Sequence, residues 1–114
     1  MTETIFDKII SRDMPAEIIY EDDNYLAFND INPQAPIHIL IIPKKRIPTI
    51  NDIQLNDSDL IAGLFFTAKN IAIKKGIDQD GYRLVLNCNE NGGQSVYHIH
   101  LHLIGGRKLS WPPG

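Results

Sequence analysis

Cysteine, excess positive charge and long apolar runs are all scarce in this sequence, and each scarcity excludes a class of protein. One cysteine among 114 residues cannot form an intrachain disulfide, which excludes a disulfide-stapled fold and suits a reducing compartment. No stretch approaches the ~18 apolar residues that a membrane-spanning helix needs. The 11 basic residues are outnumbered by 14 acidic ones, which argues against a general nucleic-acid binder but allows a small phosphate ligand.

The N-terminal residues bear on where the protein resides. Acidic side chains occur at positions 3 and 7 and no long apolar run follows, so the pattern of a secretory signal is missing. We therefore expect a cytoplasmic protein that contacts neither a membrane nor nucleic acid. The single cysteine, Cys88, is interpreted as a small core residue and is assigned no role in chemistry.

Apolar spacing predicts a short helix and three strands in the first half of the chain. Thr4 is a suitable N-cap for the helix, and Pro15 prevents its continuation. The apolar face of this helix consists of Ile5, Phe6, Ile9 and Ile10. Residues 16–20 and 25–28 predict two strands joined by an acidic turn. Residues 37–42 form a β-branched run, which predicts a central strand buried on both faces.

One long helix is predicted in the second half, over residues 57–75. Asn56 or Asp57 is a suitable N-cap, and Gly76 is a suitable stop. Its apolar stripe recurs at helical spacing and consists of Leu60, Ile61, Leu64, Phe65, Ala68, Ile71 and Ala72. Such a stripe indicates a core or interface face.

The last two strands are predicted over residues 82–87 and 95–104, joined as an antiparallel hairpin by a glycine-containing loop. The order of elements predicts an α+β fold of about five antiparallel strands, with one short and one long helix packed on one face. We expect a single domain over residues 1–114, in which residues 105–114 form a proline-rich tail. The apolar surface of the long helix and of strand 82–87 exceeds what one such sheet needs, which favours a symmetric dimer.

Three of the four histidines alternate with apolar residues near the end of the chain. His98, His100 and His102 occupy every second position of residues 97–104. Because alternate residues of a strand point to the same face, the three imidazoles are expected to project together. The intervening side chains are then expected to enter the core; they are Tyr97, Ile99, Leu101 and Leu103.

Three interpretations of this histidine face are open: a polar outer surface, a metal site, or covalent catalysis. A metal ion could take at most two of the three, because His98 and His102 lie roughly 13 Å apart along a straight strand. No acidic residue is obviously placed to complete such a site. Imidazole is also a nucleophile that attacks phosphorus, and the Gly-Gly-Gln-Ser sequence at residues 92–95 offers N–H groups and a hydroxyl to an oxyanion.

The HIHLHLI sequence at residues 98–104 resembles the signature of the histidine triad (HIT) family. The resemblance extends over nearly the whole chain and is closest to the histidine triad nucleotide-binding branch. Supporting segments are DINPQAPIH at 30–38, IPKK at 42–45, GGQSVY at 92–97 and WPPG at 111–114.

What this resemblance implies is a homodimeric purine nucleoside phosphoramidase that needs no metal or cofactor. Such enzymes cleave the P–N bond of AMP-amides through a nucleotidyl-histidine. The implied nucleophile is His100, while His102 contacts the phosphate and the leaving group. The fourth histidine, His38, is implied to orient the central imidazole together with His98.

The resemblance also implies how the nucleotide is held. Asp30 takes the ribose hydroxyls, as suits a carboxylate that accepts two O–H donors. Asn87, Ser95 and the backbone near Gly93 bind the phosphate or leaving group. The implied purine slot consists of Ile5, Phe6, Ile9, Phe28 and Ile31.

Two alternative functions stay open at this point: a slow or inactive AMP-binding module that acts through protein partners, and a metal-dependent hydrolase. The tail adds a further expectation. A solvated Trp111 in this tail is unusual because its ring is large and apolar, and the two prolines after it lower the entropy lost on docking. We expect the tail to pack across the dimer interface towards the partner's active site.

Overall fold

The computed structural model describes residues 3–114, and its two main helices and five strands follow one another in the order that the sequence predicts. Two helices and three strands form the first part: α1 (Ile5–Ile10), β1 (Ile18–Glu21), β2 (Tyr25–Asn29), β3 (Ile37–Pro43) and α2 (Ser58–Lys74). Short 3₁₀ turns, Ile50–Asp52 and Leu55–Asp57, lead into α2. The second part comprises β4 (Tyr82–Val85), the single turn α3 (Asn89–Gly92) and β5 (Leu101–Gly105).

The five strands form one antiparallel sheet in the order β1-β2-β3-β5-β4. This confirms the predicted five-stranded antiparallel sheet. Strand β3 lies at its centre, and all its residues after Ile37 are buried, as the continuous apolar run predicts. Because β3 pairs with β5, it places a histidine of each strand on the same part of the sheet, with Leu40 opposite His102 and His38 opposite Ile104.

The two helices pack on opposite faces of the sheet, so the prediction that they share one face is wrong. Alternate residues of β2 point to opposite sides: Ala27 belongs to the core under α2, whereas Phe28 belongs to the core under α1. The α2 side includes Leu64 and Ala68, and the α1 side includes Phe6. Burying both faces requires a cover on each, and the short helix supplies the second one.

The ends of the helices are fixed by different interactions. At α1 the predicted N-cap is confirmed, because the Thr4 hydroxyl accepts the Asp7 N–H and the Asp7 carboxylate accepts the Thr4 N–H. Asp57 stands at the N-cap position of α2, but its carboxylate binds Lys45 and the Gln54 N–H instead of capping the helix.

Among residues 3–114, no helix is both long and apolar enough to cross a membrane.

The segment before β5 departs most from the predictions. The strand predicted over residues 95–104 begins only at Leu101, and β4 and β5 are joined by residues 86–100 instead of a short loop. Ile99 shows the reason, since its N–H donates to Ile47 O (2.8 Å), outside the sheet ladder. Tyr97, expected in the core, is 43% exposed.

Candidate active site

Two histidines from neighbouring strands meet on the α1 face of the sheet. His38 on β3 and His102 on β5 are diagonal neighbours, since their directly opposite partners are Ile104 and Leu40. Diagonal residues on one face of a sheet are within reach of long side chains. His38 Nε2 lies 2.9 Å from His102 Nδ1, so the two rings are hydrogen bonded.

The hydrogen bonds around this pair assign the proton on each ring. The Gln34 N–H donates to His38 Nδ1 (3.0 Å), so a neutral His38 carries its proton on Nε2. That proton is donated to His102 Nδ1, and a neutral His102 therefore carries its own proton on Nε2. Burial, with the neighbouring His100 and His38, lowers the pKa of His102 to about 4. His102 consequently offers a neutral N–H donor at pH 7.

His100 is held in the opposite tautomer. Its Nδ1–H donates to the carbonyl oxygen of His98 (2.8 Å), which leaves the Nε2 lone pair free of a proton. Burial also lowers the pKa of His100, so this ring is neutral at pH 7. The ring centroids of His100 and His102 lie 5.1 Å apart. One site thus combines a neutral imidazole that has a free lone pair with a neutral N–H donor.

His98 lies behind this pair and is completely buried. Its Nε2–H donates to Pro43 O (2.6 Å), and this bond anchors the chain just before β5 to the end of β3. Its Nδ1 has no hydrogen-bond partner among residues 3–114, and the carboxylate of Asp7 approaches it to 3.8 Å. Burial lowers the pKa of His98 as well. His98 therefore acts on the site through its backbone and its packing.

A cavity of about 300 Å³ opens beside His100 and His102, a size within the range of small-molecule sites. Phe6 forms its inner wall, with its ring edge-to-face against His100 at a centroid distance of 5.0 Å. Nine predicted site residues line this cavity: Ile5, Phe6, Ile9, Phe28, Asp30, Ile31, Ser95, His100 and His102. Phe6 and Ile9 are core residues at the same time, so the core face of α1 and the cavity wall coincide.

Five predicted site residues lie outside the cavity lining. His38 and His98 stand behind it and contact it through the other histidines. Asn87 and Gly93 belong to the segment that leads to Ser95. Trp111 is 82% exposed in the tail, which the Arg83 guanidinium holds at β4 by a bond to Ser110 O (2.9 Å).

Sequence reasoning missed six further lining residues: Met14, Pro15, Ala16, Asn29, Leu40 and Val96. Most are apolar, and no local pattern distinguishes an apolar cavity wall from an apolar core. A larger cavity of about 550 Å³ lies on the other side of the sheet between β1 and α2. Its lining contains lysines but no histidine, carboxylate or thiol, so it lacks the chemistry of the α1 side.

An acidic residue does stand beside two of the histidines, contrary to the expectation from sequence. Asp30 Oδ2 lies 3.4 Å from His38 Nε2, and one ligand atom each from Asp30, His38 and His102 falls within 4.8 Å of the others. These three residues could hold a metal ion, but the ion would have to break the His38–His102 hydrogen bond. Each of these two histidines already has the other as its hydrogen-bond partner.

Comparison with known proteins finds relatives over nearly the whole chain. The HIT domain matches residues 11–109. The purine nucleoside phosphoramidase of Escherichia coli K12 is 54% identical over 107 residues, which cover 94% of this chain and 90% of that protein. A HIT family hydrolase from Legionella pneumophila is 55% identical, with a TM-score of 0.97 and coverage of 98% of this chain and 100% of its own.

A histidine triad protein from Clostridium difficile is 43% identical, with a TM-score of 0.92 and coverage of 96% of this chain and 97% of its own. The similarity therefore extends over both the sheet and the segments that carry the histidines. The chain belongs to the HIT domain family.

Proposed function

We propose that this chain hydrolyses the P–N bond of purine nucleoside 5′-phosphoramidates, releasing AMP and an amine from AMP-amides. The observation that carries the proposal is the pair of opposite tautomers at one cavity: a free Nε2 lone pair on His100 and an Nε2–H on His102. The name of the Escherichia coli relative supports the substrate class.

The reaction runs in two steps. His100 Nε2 attacks phosphorus and forms a P–N⁺ bond to the imidazole, while the bond to the leaving nitrogen breaks and that nitrogen takes up a proton from solvent. His102 donates its N–H to the phosphoryl or leaving group and stabilises the charge that develops there. Water then attacks phosphorus, which releases AMP, restores His100 and returns the proton to solvent.

The same cavity accounts for nucleotide recognition. Asp30 accepts the ribose hydroxyls, and the purine lies in the apolar slot of Ile5, Phe6, Ile9, Phe28 and Ile31. The phosphate is held by Ser95, Asn87 and the backbone near Gly93. Ile31, which is 95% exposed, stands at the cavity mouth, where a bound purine gives its side chain a partner.

The test is turnover of an AMP-amide with a chromogenic or fluorescent amine, with and without excess EDTA. Hydrolysis that EDTA leaves unchanged is the expected result. Tight AMP binding without turnover would instead identify a binding module. Loss of activity in EDTA, with recovery on adding a divalent metal, would favour a metal-dependent hydrolase, for which Asp30, His38 and His102 are the available ligands.

We propose that the active form is a two-fold dimer built on α2 and β4. Phe66 and Ile73 on α2 are 60% and 51% exposed. Two large apolar side chains exposed to water on one helix indicate a surface that a partner covers. Light scattering at micromolar concentration is expected to give twice the chain mass. Phe66→Lys is expected to lower that mass towards the monomer.

A matched control for the dimer is Ile18→Lys, which places the same charge on the exposed part of β1, at the opposite edge of the sheet. This variant is expected to stay dimeric. A monomeric wild-type protein at micromolar concentration would contradict the dimer.

We propose that the tail shapes the leaving-group end of the partner's site. Its attachment to β4 through Arg83 places exposed Trp111 at the edge of the sheet assigned to the interface. Deleting residues 109–114 is expected to change the ranking of amine leaving groups while AMP affinity changes by less than a few fold. An unchanged ranking, or complete loss of AMP binding, would contradict this role.

A further inference from the structure

Gln94 is a buried polar side chain in the segment that leads to the catalytic histidines, and all its amide atoms are used. Its Nε2 donates to Pro48 O (2.7 Å) and to Val96 O (3.0 Å). Its Oε1 accepts the Asn89 N–H (2.8 Å). The side chain is 7% exposed, so its hydrogen-bond partners are these protein groups and not water.

These bonds join three stretches of chain that no sheet ladder connects. The Asn89 bond fastens α3, the Val96 bond closes the segment around Ser95, and the Pro48 bond ties both to the chain that follows β3. Ser95 itself stands between Gln94 and Val96 and lines the cavity.

The end of β3 and the chain that follows it hold residues 94–99 at three points. Pro43 O accepts from the His98 ring, Ile47 O accepts the Ile99 N–H, and Pro48 O accepts from Gln94. Two of these contacts fix the part of the segment that carries the histidines. The third contact, from the Gln94 side chain to Pro48 O, holds the part of the segment that carries Ser95.

We propose that Gln94 is a positioning residue that sets the place of the phosphate-binding segment, residues 93–96, relative to His100. The inference rests on the proposed function, because it assumes that the phosphate lies between this segment and His100. The amide does not line the cavity and so acts through the backbone it holds. A displacement of about 1 Å in such a segment can lower the rate of reaction ~10²-fold.

A purely structural role predicts a different pattern from a positioning role. If Gln94 only stabilised the fold, its loss would weaken all ligands alike or leave all unchanged in the folded fraction. If it positions the phosphate segment, its loss weakens ligands that carry a phosphate and spares the nucleoside, whose ribose and purine contact other residues. AMP and adenosine therefore form a matched pair of probes.

Two variants remove the bonds in different ways. Gln94→Glu keeps the shape but loses both N–H donors, and Gln94→Met keeps the length and introduces no charge. We expect both to lower kcat/KM for an AMP-amide by ~10²-fold. AMP binding is expected to weaken by about tenfold, because the displaced segment loses one or two hydrogen bonds to the phosphate. Adenosine affinity is expected to stay within twofold. Gln79→Glu, the same change at an exposed position on the surface, is the matched control and should behave as wild type.

Amide hydrogen exchange gives a readout that does not depend on activity. In Gln94→Met, the amides of residues 95–99 are expected to exchange faster, while those of α2 keep their protection. Unchanged exchange in this segment would overturn the inference whether or not the protein is an enzyme. So would equal losses for AMP and adenosine, or an effect in Gln94→Glu that Gln94→Met lacks. Absence of turnover in the wild-type protein would instead contradict the proposed function.

Discussion

His100→Ala is expected to lower turnover of an AMP-amide by about 10³-fold or more, because the reaction loses its nucleophile. His100 is the ring whose Nε2 lone pair is free, since its Nδ1–H is committed to His98 O. No neighbour can replace it, because His102 and His38 share a hydrogen bond and present an N–H instead. The loss should appear in the rate constant of the chemical step, measured by single-turnover kinetics.

AMP binding should survive the same substitution, since Asp30 and the apolar slot are untouched. Calorimetry on His100→Ala checks this point and shows that the variant is folded. His100→Gly offers a second control, because free imidazole added to the buffer can enter the space left by the side chain and restore part of the activity. Retention of a tenth of the wild-type rate would exclude His100 as the nucleophile.

Acidification from pH 7 to pH 4 is expected to destabilise the folded protein by several kcal/mol, since burial lowers the pKa of all four histidines. In the unfolded chain they titrate near pH 6.5, so below that pH the unfolded state binds more protons and gains stability. The loss continues until the folded state also takes up protons, which for His102 occurs at about pH 4. His102 alone accounts for about 3 kcal/mol over this window.

Urea unfolding at a series of pH values and one fixed protein concentration measures this loss. His102→Gln is the control, because it removes one of the four titrating groups and should make the pH dependence shallower. Carboxylates with lowered pKa, such as Asp57, begin to contribute only below about pH 5, where the unfolded carboxyl starts to bind protons, so the histidines dominate the loss between pH 7 and pH 5. An unfolding free energy that stays constant from pH 7 to pH 4.5 would contradict the burial of these rings as neutral imidazoles.

Local patterns predicted the fold wherever the pattern and the final contacts agree. The β-branched run of β3 and the helical stripe of α2 each indicate one element, and both elements form. The alternation at residues 95–100 also suggests a strand, yet the Ile99 N–H bonds to Ile47 and the Gln94 amide to Pro48. Those partners lie about fifty positions away, so no local pattern reveals them. The placement of α1 and α2 on opposite faces was missed for the same reason.

The composition of the site was more predictable than its proton arrangement. The alternation of His98, His100 and His102 marks the site in the sequence, and His38 stands in a strand that can pair with it. The tautomers depend on the Gln34 N–H, on the carbonyl of His98 and on strand register, which only the folded chain defines. The approach of Asp30 to His38 likewise arises from the loop that follows β2.

The sheet separates the buried side of α2 from the wall of the cavity, so natural selection can adjust these two sets of positions separately as long as the exposed side of α2 is kept. Substitutions along α2 alter packing on one side, where Leu64 and Ala68 lie, and no histidine belongs to that core. Substitutions along α1 alter the wall of the cavity on the other side, where Phe6 contacts His100. A lineage can therefore change its thermal tolerance through one helix and its choice of nucleotide through the other, and directed evolution of a new specificity is best confined to α1 and the cavity mouth.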